Sequence, residues 1–446
     1  MRPPVVLALL AALALAAPAG AQRVHHQTLA VGDRALGMGG AFTGLASDQA
    51  AAWYNPAGLA LIDRGTVSGS LLLHAFEDLR LAEGELRLAQ ERRSNFPLFA
   101  TGVLRVGATE GEGEEAAPHH AFGVVVLRPL QVSRRFELAV ENELGEPSSL
   151  FIDELEHETL FGFTWASQLA ARWSLGASLV ATVRRFEQRE TLIGAPADSD
   201  VIAVRTGLTA VKSNHLILRV GALYAAGRFR AGLMIQPPGL PLRQQGRVEE
   251  QRVRASGAGD TTTFAEVQVD ARVPVPLIAR VGMSYRFERD VTLSVDLQFV
   301  GPVGGGAFVD APAPGEEAPD EPSAGAFIDL DTERQQVLNG ALGFEWRASR
   351  GLLLRLGAFT DFSTAREVPA TAARYQSPRN HSAGGSGSLG ITIQGRDINI
   401  GLAGIGGRGR ALLLDPRSGV ERPSYSRVAS QRRVIYFFVT GSLTGH

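Results

Sequence analysis

Apolar and polar residues take turns along long stretches of this chain. In Val291-Thr292-Leu293-Ser294-Val295-Asp296-Leu297-Gln298-Phe299, every odd position is large and apolar and every even one is polar. Successive side chains of a strand point to opposite faces, so the segment predicts a strand with one greasy face. Leu277, Ala279, Val281, Met283, Tyr285 and Phe287 alternate in the same way with Ile278, Arg280, Gly282, Ser284 and Arg286. Leu216 to Tyr224, Leu352 to Phe359, Leu389 to Gln394 and Ile398 to Leu402 repeat the pattern. One smooth apolar face and one mixed face of glycine, serine and arginine suits a strand standing between lipid and a wet or plugged lumen.

The links between these segments carry a second pattern. Very short ones fall at Ala171-Trp173, Ala226-Arg228, Arg289-Asp290, Ser349-Arg350 and Arg396-Asp397. Between them lie long links rich in Gly, Pro and charge, at Gly301 to Thr332, Asp361 to Ser386 and Leu414 to Gln431. Tight turns at one end and long loops at the other mark outer-membrane barrels, and a soluble sandwich has no reason for that asymmetry. Strands start near Thr66, Phe96, Ala121, Glu158, Ser174, His215, Arg228, Leu277, Val291, Gln335, Leu352, Gly387, Ile398 and Arg432. That makes about 14 antiparallel strands, and an even number returns both chain ends to the periplasm. Phe264 to Val275 is either the top of the eighth strand or part of a loop, because Pro274 and Pro276 disfavour a central strand. The last strand, Val434 to Val439, is apolar on both faces. The fold class is therefore all-β, a transmembrane outer-membrane β-barrel.

The N-terminus agrees with export. Arg2 precedes a Leu/Ala/Val run from Val5 to Ala17, and Ala19-Gly20-Ala21 presents small residues for cleavage before Gln22. Residues 1–21 read as a signal peptide, since the run is shorter than the ~20 residues of a membrane anchor. No later stretch of ~18 apolar residues occurs, which excludes a helical membrane protein. The 446 residues carry 44 basic and 46 acidic side chains, a formal charge of -2 and no cysteine. That balance offers no basic field for nucleic acid, and the missing thiols exclude disulfides, thiolate metal sites and cysteine nucleophiles.

Ahead of the first strand, residues 22–64 form a segment dominated by small side chains. It contains Arg34-Ala35-Leu36-Gly37-Met38-Gly39-Gly40-Ala41-Phe42-Thr43-Gly44, then Ala50-Ala51-Ala52-Trp53-Tyr54 and Asn55-Pro56-Ala57-Gly58. Asn before Pro predicts the end of a short helix and a turn. Small residues let backbone pack closely in a confined space, so the segment reads as a plug ahead of a barrel at residues 65–446.

The segment resembles the N-terminal hatch of the FadL/TodX family of outer-membrane transporters for hydrophobic compounds. Leu218-Arg219-Val220-Gly221, Ala279-Arg280-Val281-Gly282 and Leu354-Arg355-Leu356-Gly357 are similar to strands of that family. The wording around Gly37 to Phe42 is also similar to barrels of the PorV kind, which shuttle proteins in a secretion system. The first resemblance implies a monomer in the outer membrane of a Gram-negative bacterium, among lipid and lipopolysaccharide. It takes up hydrophobic molecules such as long-chain fatty acids or hydrocarbons without catalysis. It implies gating by Asn55, Pro56, Ala57 and Gly58. Arg219, Arg280, Arg286 and Arg355 are candidate lumen contacts for a ligand head group; alternatively they pair with Asp296, Glu345 and Asp361 and brace the barrel. The second resemblance implies a partner protein and no transport.

Other motifs lack the context their chemistry needs. Gly404-Ile405-Gly406-Gly407-Arg408-Gly409 matches a dinucleotide-binding string but opens no helix, and is read as loop glycine. His25-His26 and His119-His120 lack the spacing of a metal site and are read as surface histidines. Glu154, Glu156, His157 and Glu158 read as a solvated acidic run in an external loop. No G-x-S-x-G is present, and no cofactor or metal is implied.

Overall fold

The computed structural model describes residues 25, 31–62, 66–71, 74–83, 86–95, 99–106, 120–141, 147–194, 202–257, 259–305, 309–310, 333–349, 351–372, 378–393, 396–415 and 424–444. The expected signal peptide lies outside them. Among the described residues the chain forms a closed barrel of fourteen antiparallel strands. The first half runs β1 (Thr66–Leu71 and His74–Glu83), β2 (Leu86–Asn95 and Phe99–Val106), β3 (His120–Glu141), β4 (Pro147–Ala170), β5 (Trp173–Gly194), β6 (Ile202–Ala226) and β7 (Phe229–Gln236 and Leu240–Ser256). The second half runs β8 (Gly259–Ala271 and Ile278–Arg286), β9 (Val291–Val300), β10 (Val337–Ser349), β11 (Leu352–Asp361), β12 (Arg379–Ile393), β13 (Arg396–Leu414) and β14 (Tyr425–Thr444). β1 pairs with β14, Thr66 opposite Thr444, which closes the ring.

The alternation places its faces as expected. On β9, Leu293, Val295 and Leu297 are exposed toward lipid, and Thr292, Ser294, Asp296 and Gln298 are buried inside. Trp173 packs at a tilt against Tyr224 at 4.9 Å, and Tyr285 edge-on against Phe287 at 4.8 Å, at the short-turn end. They stand where an aromatic girdle meets the membrane boundary. Gly227 (φ 56) and Asp290 (φ 56) take the left-handed conformation that such tight turns require.

The strands run much further outward than the alternation alone predicts. β4 starts at Pro147 rather than near Glu158, β6 at Ile202 rather than His215, and β12 at Arg379 rather than Gly387. Ala82 to Asn95 and Ser133 to Asp153, charged stretches between the expected strand starts, belong largely to β1 to β4. The reason is an inversion of polarity above the lipid. On β5, Leu175, Leu179 and Val183 face out, but beyond them Arg185 and Arg189 face out while Phe186 and Leu192 are buried. In this upper tier Leu79, Leu81, Leu138, Leu150, Ile152, Leu192, Leu413, Tyr425 and Val428 form an apolar cluster inside the barrel.

Three further expectations are corrected. Gly404 to Gly409 lies in β13, paired on both sides, and is not a loop. Glu154, Glu156 and Glu158 lie in β4 with buried side chains, because period two turns all three inward. His25 is mostly buried, its Nδ1 3.2 Å from Asp361, rather than a surface residue. The open question at Phe264 to Val275 is resolved too. Gly259–Ala271 is the upper part of β8, paired with β7, and residues 272–277 then leave the ladder at Pro274 and Pro276.

Candidate functional site

The plug occupies the lumen as three short pieces: α1 (Asp33–Gly37), α2 (Ala51–Tyr54) and a 3₁₀ turn (Pro56–Leu61). Its backbone rests against a ring of inward-facing glycines on the wall. A methyl group on Gly176 would lie 2.5 Å from the Ala57 nitrogen, and one on Gly282 2.6 Å from the Gly44 nitrogen. Methyl groups on Gly221, Gly232, Gly343 and Gly357 would likewise collide with Asn55, Thr43, Met38 and Gly39. These glycines sit level with one another, Gly176 opposite Gly221, Gly232 opposite Gly282, and Gly343 opposite Gly357. Any Cβ there would fill the seat.

Asn55 and Asp296 lock the plug to that seat. Asn55 is fully buried, extended (φ -158, ψ 100) as the residue before a proline prefers, and caps the turn by accepting from the Ala57 N–H at 3.2 Å. Its amide donates to the Thr43 carbonyl at 3.1 Å and to the Ala222 carbonyl of β6 at 3.0 Å. Asp296, on β9, accepts from the Phe42 and Thr43 N–H groups at 2.9 and 2.7 Å. Tyr54 packs edge-on against Phe42 at 5.6 Å. Pro56, Ala57 and Gly58 are buried in the same seat.

The four candidate arginines separate. Arg219 donates to the Trp53 carbonyl at 3.1 Å and to Gln236 at 2.9 Å, and its guanidinium lies 3.6 Å from the Trp53 ring centre. Arg280 lies 5.2 Å from the Tyr54 ring centre. Arg355 pairs with Glu345 at 2.8 Å, and Glu345 also takes a two-point grip from Arg34 of the plug at 2.6 and 2.8 Å. Arg286 is exposed and lines the periplasmic mouth. Glu345 therefore braces the plug as well as the barrel, while Asp361 meets His25 and Asp296 meets plug backbone.

Two cavities flank the plug. The outer one is bounded by Trp53, Leu160, Ile217, Met234, Val275 and Ile278, with Glu158, Arg184, Arg219 and Arg280 at its polar side. It opens beside a fault in the wall. Pro237-Pro238-Gly239 interrupts β7, and residues 272–277, with Pro274 and Pro276, interrupt β8. Proline has no N–H for the ladder, so the two strands stop pairing here. A single backbone bond, Gly239 N–H to Val275 carbonyl at 3.1 Å, crosses the break. Gln244 fills in with its side chain, donating to the Val273 carbonyl at 3.1 Å and accepting from the Val273 N–H at 3.2 Å. The cavity measures ≈ 50 Å³. Sites for drug-sized ligands measure roughly 300–1,000 Å³, so the closed site is too small for such a molecule.

The inner cavity is larger, ≈ 570 Å³, and opens toward the short-turn end. Asp33, Arg34, Asp48, Arg286, Glu345, Arg347, Arg355 and Asp397 line it. Burial pushes the Asp33 carboxyl up to about 7, with the nearby Asp48 adding to the shift against a hydrogen bond from Thr440 and the charge of Arg355.

Trp53, Glu158 and Arg184 escape sequence reasoning as cavity residues. Glu154-x-Glu156-x-Glu158 does carry the signal, since acids at period two share one face of a strand. Arg184 pairs with Glu156. Among the described residues, no group of three or more His, Asp or Glu is placed to hold a metal.

No family model and no curated protein matches this chain. Solved structures do. A Pseudomonas aeruginosa FadL homologue aligns with a TM-score of 0.59 and 12% identity, covering 96% of this chain and all of that one. The Pseudomonas putida toluene transporter TodX aligns at 0.57 and 14%, covering 93% and 99%. The Ralstonia pickettii toluene transporter TbuX aligns at 0.51 and 16%, covering 93% and 98%. The likeness spans each whole chain and is one of fold, a plugged outer-membrane barrel.

Proposed function

We propose that this chain takes up hydrophobic or amphipathic small molecules across the outer membrane, long-chain fatty acids or hydrocarbons being the class, without catalysis. The observation that carries the reading is the outer cavity: an apolar pocket with a few polar groups, between the plug and a fault in the wall. The solved structures similar in fold include toluene transporters, which supports the same class. Arg219 and Arg280, on the cavity's polar side, would meet a carboxylate head group beside Trp53, and Leu160, Ile217 and Met234 its tail. Because the closed cavity is too small for such a ligand, binding requires the plug to shift around Asn55-Pro56-Ala57-Gly58, or the faulted wall to part. The charged inner cavity suits a greasy solute poorly, so release runs by way of the fault between β7 and β8, where Leu240 and Leu242 are exposed toward lipid.

The test is purification from the native outer membrane in mild detergent, with mass spectrometry of what accompanies the protein. Free fatty acid or hydrocarbon enriched over a control barrel is the expected result. A stoichiometric protein partner with no enriched small molecule would overturn the proposal in favour of a protein shuttle. In cells, Asn55→Ala should impair uptake while the barrel keeps its heat-resistant mobility; normal uptake would remove the hatch from the mechanism.

A further inference from the structure

The glycine string of β13 leads to a second site on the opposite surface. Even-numbered residues of β13 face outward, so Ile398, Ile400 and Leu402 meet lipid and the next positions up are Gly404, Gly406, Arg408 and Arg410. On β14, Phe437 and Ile435 meet lipid and Arg433 comes next. On β12, Leu389 meets lipid, and Gly385, Ala383, His381 and Arg379 follow. The registers align these rows: Gly406 opposite Arg433 and Ala383, Arg408 opposite His381, Arg410 opposite Arg379. The result is a bare floor of backbone at the upper edge of the apolar band, with cations on its outer and lateral rim.

Two features of this patch demand a counter-charge. Arg379 and Arg410 form a like-signed cross-strand pair, and such neighbours repel when directly opposed. Among the described residues no carboxylate lies within ion-pair distance of Arg408, Arg410 or Arg433. Asp78, opposite Arg433, is engaged by Arg80 at 3.0 Å. A methyl group on Gly404 or Gly406 would meet nothing within 4 Å, so the floor is open to an approaching group.

We infer that this patch of β12 to β14 binds the phosphorylated glucosamine head group of lipid A. Its height is what selects a lipid over a free anion. A phosphate whose acyl chains lie along Leu402, Phe437 and Leu389 sits level with Arg433 and Arg408, where guanidinium groups take phosphate oxygens two at a time. The flat floor then accommodates the sugar. The site is independent of the transport reading and requires only that the chain stand in an outer membrane.

The test uses the full chain, stripped of lipid in detergent and titrated with diphosphoryl lipid A and with the same lipid lacking its phosphates. Arg408→Ala/Arg410→Ala/Arg433→Ala should weaken diphosphoryl lipid A about a thousandfold, since each lost charged hydrogen bond is worth roughly tenfold. Wild type should bind the dephosphorylated lipid no better than that variant does. Arg172→Ala/Arg228→Ala, in the periplasmic turns, should bind as wild type. Without lipid, the triple variant should unfold at the same or a higher temperature, because it removes repulsion. Unchanged affinity in the triple variant, or equal loss in the periplasmic one, would overturn the inference. So would a wild type indifferent to the phosphates.

Discussion

The two spaces on either side of the plug share a wall and little else. The outer one is ≈ 50 Å³, mostly apolar in its lining, and abuts strands that have stopped pairing. The inner one is ≈ 570 Å³, crossed by Arg34, Glu345 and Arg355, and its strands are continuous. The plug thus has a greasy side, where Trp53, Leu59 and Ala60 pack on Val125, Leu127, Leu160 and Ile217, and an ionic side held by one carboxylate. A plug built this way can loosen toward one space without being expelled into the other. Dispersion contacts give way gradually, whereas a buried ion triad holds or breaks.

The largest test of that contrast is Glu345→Ala. It takes the shared carboxylate away from Arg34 and Arg355, and breaking a buried pair costs about 3–5 kcal/mol. We expect single-channel recordings to show ion conductance that the wild type lacks; an electrically silent variant would mean that the ionic side does not hold the plug. Gly221→Ala comes next, since its new methyl group strikes Asn55 and Pro56, and overpacking costs about 1–3 kcal/mol. It should raise amide exchange across residues 31–62 while leaving the barrel strands protected.

Arg219→Met strips the polar side of the outer space and frees the Trp53 carbonyl that Arg219 holds. It should weaken a long-chain carboxylate about tenfold more than a neutral hydrocarbon, because one charge-assisted contact is lost for the carboxylate alone. Equal effects on both ligands would place Arg219 in the frame rather than at the ligand. Protons act on the inner space, with an effect spread over several pH units. The Asp33 carboxyl, raised by burial from 3.8 to about 7, is neutral when seated and titrates near 3.8 once released into water. Its contribution to seating is therefore complete below about pH 3.8 and is lost as the pH climbs toward 7. Exchange of the plug amides, corrected for the intrinsic rate, should accelerate over that window in wild type. Asp33→Asn should flatten the dependence.

Much of this was legible in the alternation of residues, and the part that was not has a physical cause. Lipid tolerates no polar outward face, so Leu293, Val295 and Leu297 announce β9 without ambiguity. Above the bilayer that demand ends: Arg185 and Arg189 point to water, Phe186 and Leu192 point in, and the signal reverses phase and reads as a loop. Asn55-Pro56 was legible as a turn, because the conformation before proline is local. Its grip on Ala222 was not, since no nearby residue records a partner more than 160 positions away. The seat glycines hid in plain view for the same reason: Arg219-x-Gly221 and Arg280-x-Gly282 look like ordinary strand until the plug backbone is laid across them.

The position of the plug in the chain constrains how the molecule is made. It precedes β1, yet it lies inside a ring that closes only when β1 zips onto β14, the strand of the ring furthest from it along the chain. Its seat is assembled from β5 to β11, so the segment has nothing to rest on until the middle of the sheet has curled around it. Closing the ring therefore means wrapping the sheet around the N-terminal segment.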